Sequence, residues 1–248
     1  MAMRTSNPAL NAKTFERFGP PPGVATGEAM TIEGAVNRTA LLLLVLVATA
    51  TWTWTKTFAG TPVGGYLLGG FLGGFVVALA TIFKPTWAPV TAPIYAALEG
   101  VALGALSAMF EARYPGIVVQ AVALTFGTLF ALLLAYRSGL IPVTENFRLG
   151  VVAATGGIAI FYLVAIGLSF FGIRLAFLHE GSWLGIGFSL FVVVIAALNL
   201  VLDFDFIEKG AEHGAPRFME WYAAFGLMVT LIWLYLEILR LLSKLRNR

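Results

Sequence analysis

The stretch "WLGIGFSLFVVVIAALNLVLDFDF", residues 183–206, carries no charged residue before Asp203. A helix needs about 20 mainly apolar residues to cross the hydrocarbon core of a bilayer. The stretch is long enough for this, and among its side chains only Ser189 and Asn199 bring a hydroxyl or an amide before the first aspartate. The stretch therefore predicts a transmembrane helix that ends in carboxylates.

Six further stretches of the chain have a similar length and apolar character. They are residues 39–58, 63–83, 88–110, 116–136, 149–171 and 219–242. The segments between them are short and contain charges, proline or glycine, so consecutive helices should be antiparallel neighbours. The sequence therefore predicts an all-α integral membrane protein, with seven transmembrane helices in one domain that comprises residues 38–248.

The composition agrees with a membrane protein. Hydrophobic residues make up 59% of the chain and charged residues 12%, whereas a soluble domain averages about 25% charged residues. The net charge is only +3, and no basic face with interleaved aromatic residues is present, so nucleic acid is not an expected partner. The chain has no cysteine, which excludes disulfides and thiolate metal sites.

Residues 1–37 differ from the rest of the chain. They mix proline, glycine, threonine and charges, without the apolar core of a signal peptide. We interpret them as a mobile or interfacial N-terminal tail. Lysine and arginine are divided almost evenly between the two sets of loops, and the basic end "RLLSKLRNR" favours a cytoplasmic C-terminus.

Glycines are concentrated in two of the predicted helices. Residues 64–75 read "GGYLLGGFLGGF", and Gly100 and Gly104 are one helical turn apart in the third span. Small residues allow helix backbones to approach closely in lipid. We expect close packing at both places, with a glycine-lined conduit as the alternative for residues 64–75.

Four acidic residues fall within the predicted spans, namely Glu99, Asp203, Asp205 and Glu237. A charge at the bilayer centre costs about 2.5–3.5 kcal/mol, so such residues usually face the bundle interior and mark a pathway. Asp203 and Asp205 point to different faces, because side chains two positions apart on a helix do not meet. Asp203 shares its face with Asn199, whereas Asp205 has Lys209 one turn later and should form a snorkelling or solvated ion pair.

Glu237 has two possible surroundings. Arg240 follows it by three positions and can form a local ion pair near the membrane interface. Alternatively, Glu237 faces Asp203 across the bundle. Two carboxylates that are close together in a low-dielectric interior do not both ionise easily, so they titrate as a pair. Their oxygens could also bind a hard cation such as calcium.

Glu99 and Lys84 also allow two interpretations each. Glu99, in "EGVALG", lies beside the glycines of the third span and can have a structural or a functional role. Lys84 precedes Pro85 and can mark the end of a helix, or it can act as the counter-charge of a carboxylate.

Together these features resemble the Bax inhibitor-1 and YccA-like membrane proteins, the transmembrane Bax inhibitor motif family. The resemblance covers residues 38–246 and rests on the seven spans, "EGVALG" in the third, "LDFDFIEKGAEHG" at the end of the sixth and "LYLEILRLL" in the seventh. It implies a bundle of six helices around a central seventh. It also implies a pH-sensitive calcium leak through a pore that the seventh helix plugs, and a bacterial inner membrane as the location.

The resemblance also assigns roles to single residues. In bacterial relatives, two aspartates on the sixth and seventh helices share a proton and pair with an arginine on the second. Asp203 matches the first aspartate, Glu237 matches the second with one extra methylene, and Lys84 stands where the relatives have arginine. Asp205 matches a variable position. Glu237 follows Asp203 later than the family pattern requires, and we expect the extra residues in "GAPRFMEWYAAFG" to form a surface-lying turn. If the helix instead runs straight from Pro216, Glu237 lies about 30 Å along it and misses Asp203.

Two functions follow as hypotheses. The first is a pH-sensitive calcium or cation leak channel, with Asp203 and Glu237 as pH sensor and possible calcium site, and with Lys84, Glu99 and Asn199 as latch or pore residues. The second is a non-transporting interaction protein that modulates a membrane protease or a stress response.

An enzyme is not expected, because the chain has neither a G-x-S-x-G nucleophile elbow nor an H-E-x-x-H zinc motif. We expect no cofactor apart from a possible calcium ion. The expected partners are membrane lipids, calcium or other cations and, for the second function, another membrane protein.

Overall fold

The computed structural model describes residues 29–172 and 182–247, and most of them belong to seven α-helices. We number these helices in chain order as α1 (Ile32–Phe58), α2 (Gly64–Phe83), α3 (Ala88–Arg113), α4 (Ile117–Arg137), α5 (Glu145–Phe170), α6 (Trp183–Glu212) and α7 (Met219–Arg246). A short 3₁₀ helix, Pro85–Trp87, precedes α3. Each of the seven is long and apolar enough to cross a membrane, which confirms the predicted all-α integral membrane fold.

The first helix begins earlier than the predicted limit at residue 38. The Thr31 hydroxyl accepts a hydrogen bond from the Gly34 amide at 2.9 Å and caps α1. Glu33 adds a negative charge in the first turn, where the helix dipole favours it. The bundle therefore begins within the predicted tail, and residues 1–28 of that tail lie outside the described residues.

Glycine allows α1, α2 and α3 to pack with their backbones close together. A Cβ atom added at Gly104 would lie 2.1 Å from the Ala50 carbonyl oxygen, and one at Gly100 would lie 2.0 Å from the Thr49 hydroxyl. On α2, a Cβ atom at Gly70 would lie 2.7 Å from atoms of α3. The expected close packing is therefore present. In residues 64–75, only some of the glycines take part in it. Those with no neighbour within 4 Å of an added Cβ atom are Gly64, Gly65 and Gly69.

Helix α7 contributes most to the interior of the bundle. It packs against α1, α3, α4 and α6, whereas α2 packs mainly on α3 and α5 mainly on α6. Several of the largest fully buried side chains belong to it, among them Tyr222, Phe225 and Met228. These contacts do not show all six other helices packed around α7. The central position of the seventh helix therefore stays a prediction.

The expected surface-lying turn before the seventh span is absent from residues 214–226. The chain turns at Gly214, which has a φ of 62°, and α7 then runs without a break from Met219. Most of residues 219–226 are buried, because their apolar side chains pack in the core. The extra residues therefore lengthen α7, and Glu237 lies about 27 Å along its axis from Met219 at 1.5 Å per residue.

Candidate functional site

The interior of the bundle contains more acids than bases. Of the side chains in the described residues, five carboxylates are buried, whereas Lys244 is the one buried basic residue. The buried acids are Glu99, Asp203, Asp205, Glu220 and Glu237. Sequence reasoning identified four of them and missed Glu220.

Glu237 lies in a polar contact between α5 and α7. Its carboxylate accepts hydrogen bonds from the Tyr162 hydroxyl at 3.1 Å and from the Arg240 guanidinium at 2.9 Å. Arg240 also donates to the Tyr162 hydroxyl at 2.6 Å and lies over the tyrosine ring. The local ion pair allowed by the sequence therefore exists, and a tyrosine from another helix also contacts it. Glu237 is only 2% exposed.

Asp203 and Glu237 lie on different levels of the bundle. The Lys244 ammonium donates to the Gly185 carbonyl at 3.0 Å and to the Ser189 hydroxyl at 2.8 Å, which places the end of α7 beside the start of α6. Glu237 is about 10 Å from Lys244 along α7, and Asp203 is about 21 Å from Ser189 along the antiparallel α6. The two carboxylates are therefore about 10–15 Å apart along the bundle axis.

Asp203 is among the most buried acids, with 1% of its surface exposed. Asn199, which was predicted on the same face, is also buried and donates to the Thr155 hydroxyl of α5 at 2.8 Å and to the Ile195 carbonyl at 2.8 Å. One face of α6 thus brings an acid and an amide into the interior. The assignment of Asp203 and Glu237 as pH sensor and cation site stays a prediction.

Asp205 differs from the solvated ion pair that was expected. The pair with Lys209 exists at 2.7 Å, but Asp205 is buried and also binds the Arg148 guanidinium of α5 at 2.6 Å. Arg148 directly precedes the predicted fifth span, and α5 begins early enough to include it. The arginine thereby reaches α6 and turns a local pair into a contact between two helices.

Glu99 and Lys84 lie apart from Glu237. Glu99 is buried and faces α2, where a Cβ atom added at Gly74 would lie 2.6 Å from its carboxylate oxygen. Lys84 is exposed at the end of α2, with its ammonium 4.2 Å from the centre of the Trp87 ring. The basic partner of Glu237 is therefore Arg240. Lys84 marks the end of a helix, as the first of its two interpretations predicted.

Glu220 holds the start of α1 against the start of α7. Its carboxylate accepts from the Thr31 amide at 3.1 Å and from the Thr31 hydroxyl at 3.0 Å, and Arg38 approaches it to 3.9 Å. A Cβ atom at Gly34 would lie 2.0 Å from the same carboxylate. In the sequence, Glu220 lies in the stretch "GAPRFMEWYAAFG" that was assigned to a surface turn, so nothing marked it as a buried acid.

Glu220→Ala is expected to lower the free energy of unfolding by about 1.5–3 kcal/mol, because Thr31 loses hydrogen bonds to a charged acceptor. Thermal unfolding of the purified protein in detergent measures this change. Glu33→Ala is the control, since Glu33 is an exposed acid in the first turn of α1, the helix start that Glu220 contacts, and its loss removes a helix-dipole interaction of only about 0.3–1 kcal/mol. Equal melting temperatures for the two variants would show that Glu220 does not stabilise the contact.

The described part of the chain holds no group of three or more His, Cys, Asp or Glu side chains arranged to bind a metal ion. The predicted calcium site therefore stays a prediction. What the interior offers chemically is a set of separate carboxylates, and three of them, Asp205, Glu220 and Glu237, each have a basic side chain within 4.0 Å.

Comparison with known proteins gives one match. The Bax inhibitor 1 like family matches residues 6–247, which is nearly the full chain and includes most of the N-terminal tail. No curated protein and no solved structure gives a significant match.

Proposed function

Because the chain belongs to the Bax inhibitor 1 like family, we propose that it is a pH-sensitive leak channel for calcium or other cations. The observation that carries the proposal is the excess of buried carboxylates over the single buried lysine in the described bundle. Ionisable residues inside a membrane protein commonly mark ion or proton pathways. Carboxylate oxygens are the ligands that hard cations such as calcium prefer.

The pH dependence is proposed to act through the contact of Glu237 with Tyr162 and Arg240. With its carboxylate ionised, Glu237 binds Arg240 at 2.9 Å and accepts from Tyr162, which connects α7 to α5. Protonation removes the negative charge and with it the ion pair, so the contact between the two helices weakens. A helix that packs against four others can then shift between two arrangements.

Asp203 is proposed as a second protonation site, separate from Glu237. It lies on α6, which also packs against α7, and its carboxyl group is buried in the interior of the bundle. In this proposal, a cation that passes through the bundle interacts with the two carboxylates in turn. This differs from a directly contacting pair that holds one shared ion.

The protein is an integral membrane protein, and we place it in a bacterial inner membrane with a cytoplasmic C-terminus as part of the proposal. The basic end of the chain supports this orientation.

Calcium entry into liposomes that contain the purified protein tests the proposed function. We expect a flux that exceeds that of protein-free liposomes and changes between pH 6 and pH 8. An encapsulated calcium indicator with a pH-independent response measures it, and an ionophore added at the end gives the maximum signal. No flux above protein-free liposomes at any pH would overturn the channel and favour a non-transporting interaction protein.

A further inference from the structure

Lys244 is a buried cation whose contacts are with neutral groups. It is 3% exposed, and its ammonium donates to the Gly185 carbonyl and the Ser189 hydroxyl. Within residues 29–172 and 182–247, no carboxylate lies within 4.0 Å of it. A buried charge is costly unless it is paired, so an anion in direct contact with the ammonium would stabilise it.

The other basic residues that contact the bundle show the contrast. Arg38 approaches Glu220, Arg148 binds Asp205 and Arg240 binds Glu237. Each of these arginines has a carboxylate, although all three are more exposed than Lys244. Lys244 therefore differs from these three arginines, because its hydrogen-bond acceptors are neutral groups.

Lys244 lies in the last turn of α7, where the helix dipole favours a cation, but its ammonium reaches across to another helix. Its ammonium contacts Gly185 in the first turn of α6. That end of a helix carries the positive pole of the dipole, which attracts anions rather than cations. The ammonium and the helix end thus produce positive potential at the same place.

A cavity of about 330 Å³ adjoins Lys244 at the ends of α3 and α7. Its lining includes Phe110, Arg113 and Tyr114 of the α3 end and Ser243, Lys244 and Asn247 of the α7 end. No acidic residue lines it. Arg113 is exposed, and its Nε atom donates to the Tyr114 hydroxyl at 3.1 Å.

The side chains that line the cavity offer several hydrogen-bond donors. A lysine ammonium has three donors and Lys244 uses two of them, while an arginine has five and the Arg113 Nε accounts for one. The Ser243 hydroxyl and the Asn247 amide add further polar groups to the lining. A tetrahedral phosphate, with its negative charge and several acceptor oxygens, matches this set.

The position of the cavity indicates where such a phosphate comes from. Arg113 is the last residue of α3, and Lys244 lies in the last turn of α7. Both helices span the membrane, so the cavity lies at the level where lipid phosphates are found. We propose that the cavity binds the phosphate headgroup of an anionic membrane lipid, with Lys244 and Arg113 as the charged contacts.

Lipid titration of the detergent-solubilised full chain tests this site. Phosphatidylglycerol or phosphatidylcholine is added, and bound lipid is counted by native mass spectrometry. The wild type should retain phosphatidylglycerol in preference to phosphatidylcholine. Lys244→Met and Arg113→Gln should each weaken that binding about tenfold, as expected for the loss of a charge-assisted hydrogen bond. Lys56→Gln is the control, because Lys56 is an exposed cation at the same membrane face, outside the cavity lining.

Each outcome decides for or against the site. Equal loss of binding in Lys56→Gln would show general attraction to a basic surface and would overturn it, as would equal retention of the two lipids by the wild type. Inorganic phosphate is titrated separately, with thermal unfolding as the readout. If it protects the wild type as well as phosphatidylglycerol does, the occupant is a soluble phosphate and the lipid is excluded. If Lys244→Met does not fold, Arg113→Gln alone decides the test, because position 113 is exposed and tolerates the substitution. None of these measurements depends on the proposed channel activity.

Discussion

Gly104→Ala is expected to separate α1 from α3 and to lower the free energy of unfolding by about 3 kcal/mol. The added Cβ atom would lie 2.1 Å from the Ala50 carbonyl oxygen and 2.8 Å from two further backbone atoms of that residue. Overpacking costs about 1–3 kcal/mol where side chains can adjust. We expect the upper end of that range here, because a helix backbone cannot move aside alone.

Gly127→Ala is the matched control for this substitution. Gly127 is a helical glycine of α4, and a Cβ atom added there has no neighbour within 4 Å. Alanine at that position should stabilise the helix by up to about 1 kcal/mol. Thermal unfolding of the two variants in the same detergent compares them. Equal melting temperatures would contradict the close backbone contact between α1 and α3.

Arg148→Met is expected to lower the free energy of unfolding by about 3 kcal/mol. The substitution leaves Asp205 buried with Lys209 as its remaining salt-bridge partner. Breaking a buried ion pair by removing one partner costs about 3–5 kcal/mol. We expect the lower end of that range, because Lys209 still compensates part of the charge.

The double variant Arg148→Met with Asp205→Leu separates charge from packing. Replacing both members of a buried pair by apolar residues is often neutral or stabilising, so the double variant should recover most of the lost stability. Arg217→Met is the control for loss of an exposed arginine. A double variant that is less stable than Arg148→Met would show that the pair contributes through its shape and not through its charge.

The sequence was sufficient to predict the seven spans, because length and apolar character alone decide whether a helix can cross the bilayer. It was insufficient for the starts of the first and the last helix. The start of α1 depends on Thr31, whose hydroxyl is bound by Glu220 from the other end of the chain. The start of α7 depends on whether residues 219–226 find a buried position, and only the packing of the other helices decides that.

Ion pairs within one helix were predictable from the sequence, and polar contacts between side chains of different helices were not. Glu237 with Arg240 and Asp205 with Lys209 are both present, since helical spacing alone brings such residues together. Tyr162 beside Glu237 and Arg148 beside Asp205 depend on how far α5 slides along its neighbours. A single sequence does not contain that register, and for the same reason it left open whether a longer α7 moves Glu237 away from the level of Asp203.

The most direct test of the proposed channel is the pH profile of calcium flux in liposomes with Glu237→Gln and Asp203→Asn. Each substitution mimics the protonated carboxyl at one of the two proposed sites, so each variant should lose part of the pH dependence from pH 6 to pH 8, and the double variant should keep the flux that the wild type has at its acidic limit. The control is Glu212→Gln, an exposed acid on the same helix as Asp203, which should retain the pH profile of the wild type. If Glu237→Gln and Asp203→Asn also retain that profile, the buried carboxylates do not sense pH and the proposed mechanism is wrong.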